Sequence, residues 1–75
     1  MNEIQIKLEN ISDIRAFVNE VMLQDYEVDL IQGRYVIDAK SIMGIFALDL
    51  LSPITVKAHT DYAADFFEKI KKFAV

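Results

Sequence analysis

The sequence has 75 residues, a net charge of −4 and a hydrophobic content of 53%. A chain this short buries only about 60% of the surface its unfolded form exposes, so residues 1–75 are expected to form a single domain, and the apolar content, with five Phe and three Tyr, is globular and not disordered. The lack of Cys excludes disulfides and thiolate metal sites, the single His leaves no metal or cofactor to expect, and the acidic balance excludes nucleic acid as a partner.

The opening residues Met1-Asn2-Glu3-Ile4 have no basic region leading into an apolar stretch, so no signal peptide is expected. The longest apolar run, Ile42 to Leu48, is too short to span a bilayer, and the cytoplasm is the expected compartment.

Alternation comes first in the chain. Ile4, Ile6 and Leu8 share one face while Glu3, Gln5, Lys7 and Glu9 share the other, the period of a half-buried strand. From Ile11 the apolar positions become Ile14, Phe17, Val18, Val21 and Met22, the pattern of an amphipathic helix. Asn10 and Ser12 can each cap it, with Asn10 preferred, and Asp13 suits the positive end of the helix dipole. Tyr26 to Ile37 reads as a hairpin turning at Gln32-Gly33, in which Tyr26, Val28 and Leu30 alternate with acidic residues. Ser41 is placed to cap a short helix in Ile42–Leu48, although Gly44 costs that helix about 1 kcal/mol relative to Ala.

Ser52-Pro53 ends this region, and Ile54, Val56 and Ala58 alternate as a fourth strand. Thr60 or Asp61 then caps a last helix with apolar positions Ala63, Phe66, Phe67, Ile70, Phe73 and Ala74, running to the chain end. The basic residues Lys69, Lys71 and Lys72, mixed with Glu68, read as cations at the negative end of that helix. The order β-α-β-β-α-β-α predicts an α+β sandwich with helices covering one face of a largely antiparallel sheet.

No constellation for catalysis is present. Gly33 and Gly44 do not make a phosphate loop, there is no second His, and Asp25, Glu27 and Asp29 read as the solvated face of a strand, so the chain is not expected to be an enzyme.

The segment Asp38-Ala39-Lys40-Ser41-Ile42-Met43-Gly44-Ile45 resembles the Lys-Ser-Ile-Met-Gly-Val stretch of HPr, the histidine-containing phosphocarrier of the bacterial sugar phosphotransferase system. The element order extends the resemblance over the whole chain. It implies an HPr-like open-faced sandwich, a four-stranded antiparallel sheet with three helices on one face. The family has two phosphorylation positions: a histidine at the start of the first helix, in a Gly-Ile/Leu-His-Ala-Arg-Pro pattern, and the serine of the Lys-Ser-Ile-Met-Gly stretch, modified by HPr kinase in Gram-positive bacteria.

Counting back from the serine motif without gaps puts Asn10 at the histidine position. Glu9-Asn10-Ile11-Ser12-Asp13 keeps neither the His, the Arg nor the Pro of the family pattern. An amide does not accept and release a phosphoryl group as an imidazole does, and Glu9 and Asp13 repel an incoming phosphate. Arg15 is either at this helix end or in solvent. His59, the only histidine, falls at the end of the fourth strand and reads as an edge-of-sheet residue.

Ser41 matches the kinase position and is the expected phosphorylation site. Lys40, Ile42, Met43 and Phe46 match the family's docking patch, and they are an interaction surface if exposed and core if buried. The resemblance implies a regulatory or protein-binding relative whose partners are HPr kinase, a transcriptional co-regulator or other phosphotransferase-system proteins. The alternatives are a phosphocarrier using another acceptor and an HPr fold with an unrelated binding role.

Overall fold

A computed structural model describes residues 2–75. The elements are β1 (Glu3–Ile6), α1 (Ile11–Met22), β2 (Val28–Gln32), β3 (Tyr35–Asp38), α2 (Ile42–Phe46), β4 (Ile54–Ala58) and α3 (Ala64–Ile70), followed by a 3-10 turn at Lys71–Phe73. The four strands form one antiparallel sheet in the order β1-β4-β2-β3, so β4, the last strand in the chain, lies between β1 and β2. This is the α+β arrangement that the period changes predict.

The strand alternation sorts the sheet into two faces. Ile4, Val56, Leu30 and Ile37 stand in one row across the four strands, and their neighbours Ile6, Ile54, Val28 and Ala58 are buried. Against this face pack Ile14, Phe17, Val18 and Val21 from α1, Ile45 from α2, and Phe66 and Ile70 from α3. Phe17 and Phe66 are fully buried and each contributes about 1.5–3 kcal/mol of burial energy. Phe17 meets Phe73 edge-on at 6.4 Å, and Phe66 meets Tyr26 in the same manner. The opposite face carries the row Glu3, Lys57, Asp29, Asp38. Lys57 stands between two acids there, but Asp29 and Asp38 are like charges directly opposite one another, which is unfavourable.

Several boundaries differ from the sequence expectation. β1 ends at Ile6, though Leu8 is still buried. Met22 is exposed, because α1 outruns the core at its last turn. The hairpin turns one residue later than expected, at Gly33-Arg34, with Gln32 paired to Tyr35. Gly33 has φ 59 and, among the described residues, no non-glycine residue takes a positive φ, the glycine-first pattern of a II′ loop. Neither Thr60 nor Asp61 caps α3: the Thr60 hydroxyl accepts a bond from Tyr62 N–H, and the helix starts after Ala63 without a side-chain cap. The helix also stops short of the chain end. After the 3-10 turn Ala74 is extended and bridges to Ile6.

His59 follows β4, a central strand, and is therefore not at an edge of the sheet. Its Nε2 lies 2.7 Å from Asp29 Oδ2 on the neighbouring strand, a half-exposed pair. Among the described residues no helix is long and apolar enough to cross a membrane.

Candidate functional site

The site predicted around Ser41 is built on the short connection from β3 to α2. Asp38 ends the strand, and its Oδ1 accepts a bond from Lys40 N–H at 2.9 Å while its carbonyl accepts from Ser41 N–H. These bonds close the turn and set Ser41 in extended backbone at the N-cap of α2. The Ser41 hydroxyl oxygen accepts from Gly44 N–H at 3.0 Å, satisfying one of the helix's free donors. Ser41 and Lys40 are both exposed.

α2 has only five residues and turns a single side chain, Ile45, into the core. Ile42, Met43 and Phe46 are 42%, 82% and 49% exposed. On a helix Ile42 and Phe46 are i, i+4 neighbours and Met43 and Phe46 are i, i+3 neighbours, so the three make one apolar surface beside the serine. Of the two alternatives left open by the sequence, core or surface, these residues are surface. Gly44 keeps α2 close to β3, since a methyl group there would lie 3.2 Å from Ile37 Cδ1.

Asn10 is the N-cap of α1, as preferred over Ser12. Its backbone is extended and its Oδ1 accepts from Asp13 N–H at 2.8 Å. Asp13 reaches back in turn, its Oδ2 accepting from Glu9 N–H at 3.1 Å, which ties down the residues on both sides of Asn10. The shallow cavity beside this helix end, about 250 Å³, is lined by Lys7, Glu9, Asp13 and Lys72 together with the last residues of the chain. Its charges are mixed in sign and not only acidic, because the tail brings Lys72 to Glu9 and Asp13. Arg15 is exposed.

The sequence offered no signal for one further feature. Gln32 clamps the loop before β4: its Nε2 donates to Asp49 C=O at 2.7 Å and its Oε1 accepts from Asp49 N–H at 2.8 Å. Asp49 then accepts from Leu51 N–H and from the Ser52 hydroxyl, leaving Leu51 exposed at the loop tip. The C-terminal lysines do not act together. Lys71 pairs with Glu68 at 3.2 Å in full solvent, and the Lys72 ammonium sits 5.4 Å from the Phe73 ring centre.

Comparison with known proteins places the fold. No family model and no curated protein matches the sequence. Among solved structures, the chain is similar to one described as HPr-C-His from Thermoanaerobacter tengcongensis, with a TM-score of 0.77 and 21% sequence identity, over 96% of this chain and 89% of that one. The fold is HPr-like: an open four-stranded antiparallel sheet with three helices, the architecture implied by the Lys40-Ser41-Ile42-Met43-Gly44 motif.

Proposed function

We propose that this chain is a non-catalytic docking protein of the phosphotransferase-system type, working in the cytoplasm through the surface of Ser41, Ile42, Met43 and Phe46. The carrying observation is the joint exposure of an apolar triad and a serine on one short helix. Apolar side chains held in solvent on a rigid element are a ready contact for a partner, and Lys40 beside them supplies a charged rim. In this reading HPr kinase, a transcriptional co-regulator or another protein of the same system docks here, and phosphorylation of Ser41 switches the contact. A phosphate adds about −1.5 to −2 charges and three acceptor oxygens next to the Gly44 N–H, changing the surface without disturbing the core.

The first helix supports the same reading. Asn10 has its side-chain oxygen committed to the helix cap and carries no group that takes up a phosphoryl. The protein therefore acts through contacts at α2 and not as a carrier.

The test is incubation with HPr kinase and ATP, read by intact mass, with Ser41→Ala as control. One added phosphate on wild type and none on the variant is expected. Labelling by enzyme I and phosphoenolpyruvate through an acid-labile bond, lost in His59→Ala, would replace this reading with a carrier that uses the only histidine.

A further inference from the structure

The sheet ends differently at its two sides. At β1 the C-terminal residues close the edge: Lys7 N–H donates to Phe73 C=O at 2.9 Å, Val75 N–H donates to Gln5 C=O at 3.1 Å, and Ile6 bridges to Ala74. At β3, among the described residues, no strand or bridge lies beyond. The loop pair Gln32–Tyr35 and the bond from Ala39 N–H to Val28 C=O fix the phase of the ladder. Odd-numbered residues of β3 bond to β2, and Val36 and the N–H of Asp38 face outward. Short length and the Asp38 charge are the protections of this edge. Tyr35–Asp38 has no Pro, no Lys and no bulge, and Tyr35 and Val36 are 63% and 61% exposed.

We propose that β3 pairs with β3 of a second copy of this chain, antiparallel about a two-fold axis at Val36. The choice of occupant rests on charge and register. In this pairing Arg34 of each copy stands opposite Asp38 of the other, Tyr35 opposite Ile37, and Val36 opposite Val36. Val36 and the N–H of Asp38 have the phase that the free edge offers, Arg34 joins them from the adjoining turn, and the two sheets continue into one.

Asp38 has reason to accept such a neighbour. In its own sheet it faces Asp29, whose carboxylate lies 2.7 Å from the His59 Nε2, while Asp38 meets only the Lys40 N–H. Arg34 makes no salt bridge among the described residues. Other alignments lose the match. A two-residue shift sets Arg34 against Lys40, and a parallel pairing sets like charges against like. The contact is small, at the low end of specific interfaces, below about 1,200 Å², so the dimer is a weak one.

Sedimentation velocity up to about 1 mM, together with concentration-dependent amide shifts, tests this. Wild type is expected to gain mass with concentration while the Val36 and Asp38 amides shift. Arg34→Asp and Asp38→Arg each turn both charge pairs into repulsive ones and are expected to weaken self-association about tenfold or more. Mixed in equal amounts, one variant presents two carboxylates where the other presents two guanidinium groups, and a heterodimer at least as tight as wild type is expected. Should Asp38→Arg fail to fold, Val36→Lys, at an exposed position, places two cations on the axis and is expected to be monomeric. A wild type that stays monomeric throughout overturns the proposal. So does a dimer indifferent to all three substitutions, which would place the contact elsewhere, for instance at Met43 and Phe46.

Discussion

Asn10 shows how one side chain sets the start of a helix. Its amide oxygen satisfies the Asp13 N–H of α1. Replacing Asn10 with Ala removes that acceptor and is expected to lower stability by about 1 kcal/mol, read as a lower urea midpoint, whereas Asn10→Ser keeps most of it. An unchanged midpoint in the Ala variant would mean that Asp13 and solvent already cap the helix. Tyr26 offers a second handle. Its hydroxyl is held above its ordinary pKa of 10.0 by burial first, then by Asp25 and Asp65, and it donates to Gln24 Oε1 at 3.1 Å. The folded state thus holds the phenol proton more tightly than the unfolded chain does. That contribution is complete below pH 10.0 and is lost as pH rises through the higher folded value. Stability measured by denaturation from pH 9 to 11 should therefore fall, and the fall should be shallower in Tyr26→Phe; equal slopes would remove Tyr26 as a cause.

Among the elements, α2 is where local preference and packing disagree. A helix interior gains about 1 kcal/mol when Gly becomes Ala, yet a Cβ on Gly44 would meet both Ile37 Cδ1 and the Ser41 hydroxyl oxygen at 3.2 Å. The end of Ile37 can shift, but Ser41 is the cap of the same helix and gives way only by loosening its bond to Gly44 N–H. Gly44→Ala is expected to return well under the full gain in thermal unfolding, with faster exchange of the residue 44 amide. Recovery of the whole 1 kcal/mol would show that these neighbours move freely. The same helix marks how far the sequence could be read. Ser41 ahead of the apolar run Ile42–Leu48 identified the element, but not which side of five residues meets the sheet. The caps at Asn10 and Ser41 were legible because a short polar residue precedes an apolar period. Thr60 and Asp61 carry the same signal and do not cap α3: the Thr60 hydroxyl is taken by the Tyr62 N–H, and the helix begins only after Ala63. The hairpin was misplaced by one residue because Gly33 fits either loop position, and only the pairing of Gln32 with Tyr35 decides between them.

Across the whole molecule, the alternation of β1, β2 and β4 was sufficient to separate a buried face from an open one, and the resemblance at Lys40–Gly44 supplied the antiparallel sheet with helices on one face, while the strand order β1-β4-β2-β3 is visible only in the fold. What lay beyond the sequence was the fate of the two edges. Periodicity continues the last helix through Phe73 and Ala74, whereas in the fold Phe73 turns inward to Phe17 and Ala74 leaves the helix to lie along β1. One edge of the sheet is thereby closed and the other left open, which gives the molecule a direction in which it can add a neighbour.

The position of β4 has a consequence for synthesis. It is the fourth strand to leave the ribosome but lies second in the sheet, holding β1 on one side and β2 on the other. Until residues 54–58 emerge, β1 has no partner and β2 has only its hairpin mate. A chain stalled or cleaved after Leu51 leaves both edges of β1 and both outer edges of the β2–β3 hairpin unpaired, and it is such a fragment, more than the finished protein, that is exposed to aggregation and to the cell's quality control.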